Sequence, residues 1–444
     1  MTIRRLRDGR RRPVPSICVW TGRCGWRILR AAWHRLARVR PAAREQDVGA
    51  KTIFGVGVDA GSDRTRVAVL EVTGDLVRLA GYGETRSEGW KRSRIADARA
   101  VADSIRAAVR EAERSAQIPV VSAVLGAGGA AVGCEYSSRG YEDDYRRKLT
   151  QADVNLVIER AAHVQLGEDR MLLHLCLREF SVDGRRGYRD PRGQSGVSLQ
   201  AHVSLITFST REHDTLVGAA NQAGLAVEET VYEPVAAAYA CLRAEHRRGG
   251  VMLVDIGAES ADLVVYMGDS LVRASSLELG GARFTEDTAD GLNITLVDAE
   301  AVKLQYGSAV RDPEAARSLI ELPAPPGRQP RTIPREELAF ILECRAEQLF
   351  RWVRRELLRI CPEGRLYGGV VLCGGASRLP GMCDVAEAVV GLDAYLGLPA
   401  GIRGWPPALN DPAWTTVAGL AMYSARLKQR ERERRRSLFS RIFG

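Results

Sequence analysis

The sequence predicts an α/β protein made of two related lobes, and three observations lead to this prediction. The same pattern, an apolar strand followed by Asp-x-Gly and a second apolar strand, occurs at 53–70 and again at 251–266. Strand-like and helix-like segments alternate along the rest of the chain, as in layered α/β folds. The length of 444 residues and the apolar content of 45% suffice for two or three lobes with their own cores.

Each of the two turns carries residues suited to holding a phosphate group. These residues are Asp59, Gly61 and Ser62 in the first turn and Asp255, Gly257, Ser260 and Asp262 in the second. Glycine lets backbone N–H groups approach an anion, and an Asp at the end of a strand can hold a metal-bound water. We therefore expect the two hairpins to close on one nucleotide.

The other elements follow from periodicity and capping residues. The expected helices are 97–115, 153–165 with Thr150 as N-cap, 211–223, a helix opened by Glu233-Pro234, 298–305, 336–360 and 382–390. The expected strands are 118–125, 197–207, 227–232 and 368–373, and residues 313–334 are expected to form an exposed Pro-rich connection. Residues 126–131 match a G-x-G-x-x-A dinucleotide fingerprint, but we reject it because 134–140 indicates extended chain where the fingerprint needs a helix.

Basic residues are concentrated at the two ends of the chain. Residues 1–50 contain 13 Arg and three acidic residues, residues 426–444 contain eight basic and two acidic residues, and the remainder is net acidic. Basic tails on an acidic body fit an anionic membrane surface better than nucleic acid, whose partners carry a basic face on the folded domain. The nine Cys form no C-x-x-C pair and the six His no H-x-x-x-H pair, so we expect buried thiols in a reducing cytosol and no zinc site.

Both ends leave alternatives open. Residues 1–51 are expected to be a basic extension that is disordered or wrongly included upstream sequence; the alternative is a membrane-surface or nucleic-acid arm with a possible helix bearing Trp26, Leu29 and Trp33. At the other end, 426–436 is a charged connector. It precedes an amphipathic helix whose membrane-binding residues are Leu438, Phe439, Arg441, Ile442 and Phe443. The alternative there is a frayed basic tail. No apolar run of about eighteen residues, the length that spans a bilayer, is present.

Further motifs carry a resemblance to a known family. They are Glu233-Pro234-x-Ala-x-Ala-Tyr239, Leu279-Gly280-Gly281, Ala299-Glu300-x-x-Lys303, Gly374-Gly375-Ala376-x-x-Leu379-Pro380-Gly381 and Asn410-Asp411-Pro-x-Trp-x-Thr416. Together with the two hairpins, and in this order over about residues 52–444, they resemble the actin-like ATPase superfamily and, within it, the FtsA family of bacterial cell-division proteins.

The resemblance implies an actin-like (ribonuclease H-like) two-lobed fold with a nucleotide cleft and an FtsA-type inserted subdomain. The implied division is 52–123 and 204–248 for the first lobe (1A), 124–203 for the inserted subdomain (1C), 249–281 and 361–425 for the second lobe (2A), 282–360 for subdomain 2B, and 426–444 for the basic linker and membrane helix.

The resemblance also implies ATP and Mg²⁺ as ligands. The implied nucleotide-binding residues are Asp59, Gly61, Ser62, Arg64, Asp255, Gly257, Ser260, Gly280, Gly281, Glu300, Lys303, Gly374, Gly375 and Ala376. Asp59 and Asp255 would hold Mg²⁺ through water. Glu233 either lies near the attacking water as a catalytic residue or is a first-turn acid that stabilises its helix. Glu300 and Lys303 either reach the nucleoside or form a solvated ion pair.

The second turn departs from the family pattern, because Ala258 and Glu259 replace two flexible Gly and one hydroxyl is lost. A carboxylate near a γ-phosphate repels it, so we expect ATP binding with weak or absent hydrolysis.

The function implied by the resemblance is a scaffold that polymerises and tethers FtsZ to the cytoplasmic face of the membrane at the division septum. FtsZ would contact 282–360, and the inserted subdomain would make filament contacts with other copies and recruit later division proteins. Anionic inner-membrane lipids would be a further partner, and no nucleic acid is expected. A pilus-assembly actin homologue of the PilM kind is the alternative. A heat-shock chaperone and a sugar kinase are further rivals, but the sequence shows neither the substrate-binding β-domain of such a chaperone nor a clear sugar pocket.

Overall fold

The computed structural model describes residues 17–19, 27–29, 52–312, 318–323 and 330–443, with side chains for 52–312, 318–323 and 330–433. The described strands are β1 (Ile17–Val19), β2 (Arg27–Leu29), β3 (Ile53–Ala60), β4 (Arg64–Thr73), β5 (Leu76–Arg86), β6 (Trp90–Lys91), β7 (Arg94–Ile95), β8 (Ser122–Ala127), β9 (Val132–Lys148), β10 (Arg170–Val182), β11 (Arg185–Tyr188), β12 (Ser195–Ser209), β13 (Ala226–Tyr232), β14 (Val251–Ile256), β15 (Ala261–Met267), β16 (Ser270–Leu277), β17 (Leu319–Leu322), β18 (Arg331–Pro334), β19 (Val370–Cys373) and β20 (Ala394–Leu396).

The described helices are α1 (Ala98–Ala116), α2 (Gln151–Ala162), α3 (Thr210–Gln222), α4 (Glu233–Cys241), α5 (Ala244–Gly249), α6 (Gly281–Leu292), α7 (Leu296–Tyr306), α8 (Arg335–Ile360), α9 (Met382–Val390) and α10 (Thr415–Phe443). Short 3₁₀ turns occupy Gly375–Arg378, Pro407–Leu409 and Pro412–Trp414.

The two lobes have the same sheet topology. In the first lobe, β5, β4 and β3 form an antiparallel meander, and β8 and β13 continue the sheet in parallel. In the second lobe, β16, β15 and β14 form the meander, and β19 and β20 continue in parallel. The predicted pair of related α/β lobes is confirmed. Because the Asp-x-Gly hairpin joins the same two strands of each meander, β3 to β4 and β14 to β15, both of these hairpins have equivalent places in their sheets.

Each sheet is buried by helices. The first core includes Val58, Ile105 of α1, Leu125 and Tyr232, all with almost no exposed surface. The second core joins β14 and β19 to α8 through residues such as Val254, Leu372 and Phe350. Burying apolar side chains stabilises each lobe by about 25 cal/mol per Å² of apolar surface removed from water.

A four-stranded antiparallel sheet, ordered β11-β10-β12-β9, forms the inserted subdomain with α2. Thr150 caps α2 as predicted, and the Asp153 side chain accepts back from the Thr150 N–H in a capping box. The long strand β12 carries Ile206 and Phe208 into the first-lobe core, so the insertion grows out of that lobe.

Helix α10 differs from the expectation in two ways. Residues 415–425, expected with the second lobe, pack on β3 of the first lobe: a Cβ at Gly57 would overlap the backbone of Ala421. Residues 426–436, expected as a connector, continue the helix. Its next turns are held to the lobe because Lys428 Nζ donates to Phe54 O at 2.8 Å and pairs with Glu228 at 2.8 Å.

Three further segments differ from the sequence-based expectation. The Pro-rich connection contains the paired strands β17 and β18. Helix α6 was not predicted, because its buried face includes Thr285 and Thr288 and so lacks a clear apolar period. Arg27–Leu29 is a strand paired with β1 where a helix was considered. The rest of 1–51 and the side chains of 434–444 lie outside the described residues. Within the part of the chain that is described, no helix is long and apolar enough to cross a membrane.

Candidate functional site

The first hairpin ends in a tight turn between β3 and β4. Asp59 lies opposite Arg66, and residues 61–63 form the turn. A Cβ at Gly61 would lie 2.8 Å from the carbonyl oxygen of Arg64, so only glycine fits this turn without a shift. The last residues of β3 therefore present the Asp59 carboxylate beside a bare backbone.

The second hairpin is closed in the same way. Asp255 lies opposite Asp262, and the Gly257 N–H donates to the Ser260 carbonyl at 2.8 Å. Asp255 is 9% exposed, and its Oδ2 accepts a hydrogen bond from Thr416 Oγ1 at 2.5 Å. Thr416 belongs to α10, so the helix that packs on the first lobe also anchors the key carboxylate of the second.

Carboxylates from both lobes converge on one cleft. Burial raises the pKa of Asp59 to about 6 and that of Asp255 to about 7, and the charge of Asp59 further raises the pKa of Asp255. Burial, then the charges of Asp59, Asp262 and Asp255, raise the pKa of Glu233 well above its usual range. Such coupling requires the groups to be close, so the two hairpins and the start of α4 meet at this point. The main opposing charge is Arg66, which lowers the pKa of both Asp59 and Asp255.

Glu233 is positioned by a glycine loop and a buried histidine. A Cβ at Gly128 would overlap Glu233 Oε2, so the missing side chain in the β8–β9 loop leaves room for this carboxylate. The preceding residue, Tyr232, donates its N–H to His174 Nε2 at 2.9 Å. Burial lowers the pKa of His174 to about 4, which keeps the ring neutral and able to accept.

Two side chains of the second hairpin cross to the first lobe. Both oxygens of Asp262, 3% exposed, accept from the Gly129 N–H at 3.0 Å. Glu259 accepts from the N–H groups of Arg92 and Ser93 at 3.0 and 2.5 Å. The lobes are therefore bridged at the tip of the second hairpin.

A second group of candidate residues surrounds the start of α6. The Gly281 N–H donates to the Gly257 carbonyl at 2.9 Å, and a Cβ at Gly280 would lie 2.6 Å from the same oxygen. Lys303 Nζ donates to the Gly281 carbonyl at 3.1 Å and pairs with Glu300 at 2.7 Å. A Cβ at Gly281 would lie 3.3 Å from the Cβ of Ala376. The residues expected at the nucleoside thus lie together, next to the second hairpin.

The Gly374-Gly375 turn joins this group to the acidic cleft. Gly374 has φ +84°, and a Cβ there would overlap Asp255 Oδ1 and the Ile256 carbonyl. A Cβ at Gly375 would meet no atom within 4 Å, so its backbone borders open space.

Arg64 is the candidate that is not brought into the cleft. It is 46% exposed and pairs with Asp63 at 3.6 Å. A cavity beside the first turn is lined instead by Ser62, Gly129, Glu233 and Ser260, together with Trp90 and Ser93. Among the described side chains, no group of three or more His, Cys, Asp or Glu is arranged to hold a metal ion directly.

Sequence reasoning missed Arg66 and the 126–129 glycine loop. Arg66 could have been found by pairing the residues of the two strands outward from the turn, because this pairing places Arg66 directly opposite Asp59. The glycine run was rejected as a dinucleotide fingerprint, and the extended strand β9 that follows supports that rejection. The run nevertheless lies at the carboxyl end of a parallel strand, which is where α/β sheets place their sites.

Two lobes of equal topology around an acidic cleft define the actin-like class of proteins. In agreement, a solved structure described as the PilM-PilN type IV pilus biogenesis complex superposes with a TM-score of 0.59 at 18% identity, covering 84% of this chain and 99% of that one.

Sequence comparison identifies the family within this class. The family model Cell division protein FtsA matches residues 252–419, and the model SHS2 domain inserted in FTSA matches residues 136–207. Cell division protein FtsA of Pseudomonas aeruginosa is 30% identical over 369 residues, covering 83% of this chain and 88% of that protein. The Bacillus subtilis protein of the same name is 31% identical over 372 residues, with coverages of 84% and 83%. The chain belongs to the FtsA family of cell division proteins.

Proposed function

We propose that this cell division protein binds ATP with Mg²⁺ between its lobes, polymerises, and tethers FtsZ to the cytoplasmic face of the membrane at the division septum. One observation carries the nucleotide part of the proposal: Asp59, Asp255 and Glu233, from both lobes, converge on one cleft with raised pKa values. So much buried negative charge, opposed mainly by Arg66, favours binding of a cation.

The residues around the cleft fit Mg²⁺ and a nucleotide. Asp59 and Asp255 would hold the ion through water, which is consistent with Mg²⁺ keeping several of its waters in proteins. The backbones of the two turns would receive the phosphates. The open backbone at Gly375 and the group formed by Gly281, Lys303 and Ala376 would receive the nucleoside. When bound, Mg²⁺ would neutralise phosphate charge.

Hydrolysis should be weak. Burial and the neighbouring carboxylates raise the pKa of Glu233, which disfavours the carboxylate form that a general base for a water molecule requires. Phosphate release at several turnovers per minute by the purified protein would contradict this expectation.

The nucleotide proposal is tested by titrating a fluorescent ATP analogue with Mg²⁺ into the full-length protein. Replacing Asp59 and Asp255 together by Asn should weaken binding at least about a hundredfold, because two charged groups that hold the ion are lost, each worth about 1.5–3 kcal/mol. Asp75→Asn removes the same charge from an exposed turn and should leave the affinity unchanged. Absence of nucleotide binding by the unaltered protein would refute the proposal.

The membrane proposal rests on the C-terminal part of α10. By sequence spacing, Leu438, Phe439, Ile442 and Phe443 share one helical face, with basic residues around them. Each basic residue near an anionic leaflet contributes on the order of 1 kcal/mol. One such helix binds weakly, so stable attachment would require several copies in a polymer.

Co-sedimentation with anionic vesicles tests this part. Phe439→Glu with Phe443→Glu should abolish binding, whereas Ser437→Glu, on the opposite side of the helix by spacing, should weaken it only slightly. If the unaltered protein does not bind vesicles, the membrane proposal fails.

FtsZ would contact subdomain 2B. Its helices α7 and α8 expose Leu296, Val297, Leu304 and Phe340, each more than half exposed. Exposed apolar patches mark protein interaction surfaces. Vesicle-bound protein should recruit FtsZ, and Val297→Asp with Leu304→Asp should prevent this without releasing the protein from the vesicles. The inserted subdomain would make filament contacts and recruit later division proteins.

A further inference from the structure

Glu259 lies at the tip of the second hairpin, in a position where the family pattern has a flexible glycine. Its carboxylate crosses to the first lobe. There Oε1 accepts from the Arg92 N–H at 3.0 Å and Oε2 accepts from the Ser93 N–H at 2.5 Å. A carboxylate that accepts two backbone N–H groups forms charge-assisted hydrogen bonds, which are stronger than neutral ones.

The two donors belong to an unusual turn. Arg92 and Ser93 join β6 to β7, and they have φ values of +51° and +55°. Two successive left-handed residues form the type of turn that favours Asn-Gly, and side chains such as Arg and Ser are disfavoured there. This turn therefore needs support from outside its own sequence, and Glu259 satisfies both of its amide groups.

The bridge lies at the phosphate end of the cleft. The Ser93 side chain lines the same cavity as Ser62 of the first turn and Ser260 of the second. Its Oγ and the indole N–H of Trp90 are buried there without a hydrogen-bond partner. The Asp262–Gly129 bridge lies beside it, so the hairpin tip is attached to the first lobe at two points.

We propose that Glu259 is a latch: it ties the second lobe to the β6–β7 turn, holds the phosphate end of the cleft closed and slows the exchange of nucleotide. The effect of the latch on nucleotide exchange rests on the proposed function.

Amide hydrogen exchange of the full-length protein, without nucleotide, tests the latch directly. In Glu259→Ala, the amides of 92 and 93 should exchange at least roughly tenfold faster, because the two bonds that protect them are lost. Glu259→Gln keeps one acceptor oxygen and should give an intermediate rate. Glu363→Gln removes an exposed acid of the same lobe and should change neither amide. Unchanged exchange in Glu259→Ala would overturn the proposal.

Dissociation of a fluorescent ATP analogue tests the consequence. Loss of the latch should raise the dissociation rate roughly tenfold in Glu259→Ala. Arg92→Asn provides a second check, because Asn adopts the left-handed backbone of this turn more readily than Arg and the substitution keeps both N–H donors. Its dissociation rate should stay near that of the unaltered protein, and adding Glu259→Ala to it should still raise the rate.

The outcomes separate the two proposals. The unaltered protein could bind no nucleotide while Glu259→Ala still speeds hydrogen exchange at the amides of 92 and 93. In that case the nucleotide proposal fails, and Glu259 remains a contact between the lobes. If nucleotide binds and dissociation is the same with and without Glu259, the latch does not control exchange.

Discussion

At the scale of single residues, the buried Asp255 carboxylate makes the ligand-free protein less stable than a neutral side chain at this position would. Its pKa is about 7 in the folded protein against a usual 3.8, so burial penalises the charged form. A raised carboxyl pKa means that stability is lost as pH rises towards the folded pKa. Asp255→Asn should therefore be more stable than the unaltered protein, with a gain that grows by about 2–3 kcal/mol between pH 5 and 7 and then levels off.

Urea unfolding at pH 5, 7 and 8 measures this gain. Asp75→Asn, in an exposed turn, is the control and should show no pH-dependent gain. The same Asp255→Asn change should weaken Mg²⁺–ATP binding, so stability and binding move in opposite directions. An Asp255→Asn protein that is less stable at pH 8 would contradict the burial argument.

Gly374 gives a second prediction at this scale. Gly374→Ala adds a methyl group that would overlap Asp255 Oδ1 and a backbone carbonyl at φ +84°, whereas Gly391→Ala has φ +81° and nothing within 4 Å. In both variants, placing Ala in a left-handed backbone conformation lowers stability by about 1–2 kcal/mol. Only Gly374→Ala adds a clash, so it should be at least ~2 kcal/mol more destabilising than Gly391→Ala and should weaken nucleotide binding.

Thermal or urea unfolding of the two glycine variants provides the comparison. Equal losses of stability would show that the Gly374 backbone does not need to lie against Asp255.

The residues predicted from sequence were those with a local signature. Asp59, Asp255 and the glycine turns stand out because a strand ends there and the backbone must turn. The partner of Glu259 could not be predicted, because its contact joins residues 167 and 166 positions apart and depends on how the lobes are placed.

At the scale of elements, the contact between α10 and the first lobe depends on glycine. A Cβ at Gly419 would overlap the Ala236 carbonyl of α4. Gly419→Ala should therefore destabilise the protein by several kcal/mol, on the order of 2–4, despite the better helix propensity of Ala. Gly218 of α3 has nothing within 4 Å, and Gly218→Ala should stabilise by up to about 1 kcal/mol.

Opposite signs for these two Gly→Ala changes, measured by urea unfolding, would establish close packing as the cause. A stabilised Gly419→Ala protein would mean that α10 can move away from α4.

Helices with a clear start were predictable, and α10 was not. Asp97, Thr150 and Ser209 each cap a helix with a side-chain acceptor, and the predicted bounds of all three helices lie close to those observed. The charged run of 426–436 favoured a connector because periodic apolar residues are missing there. In the structure, long basic side chains hold its first turns instead, as Lys428 and Arg432 donate to the carbonyls of Phe54 and Thr52.

At the scale of the whole molecule, the repeated hairpin pattern was enough to predict two lobes, because it is local in sequence. The sheet order beyond the hairpins was not predicted, since parallel neighbours such as β14 and β19 are over a hundred residues apart. The lobe to which α10 belongs is likewise a matter of tertiary packing.

The meeting of acids from both lobes makes nucleotide binding a proton-linked event for the molecule as a whole. In the free protein at pH 6.5, Asp255, with pKa about 7, is mostly protonated, and Asp59, with pKa about 6, is partly so. A nearby Mg²⁺ ion favours the charged forms. Binding of the preformed Mg²⁺–ATP complex should therefore release roughly one proton per molecule at pH 6.5 and almost none from the two Asp at pH 9.

Titration calorimetry in two buffers of different ionisation enthalpy counts these protons. Asp255→Asn removes the larger contributor of the two Asp and should reduce the release at pH 6.5 by more than half a proton, whereas Asp75→Asn should leave it unchanged. Equal heats in the two buffers at pH 6.5 would mean that the bound ion does not reach these carboxylates. Because the release comes from groups on both lobes, a smaller release in each of the two single-lobe variants, Asp59→Asn and Asp255→Asn, would show that one ligand engages both hairpins at once.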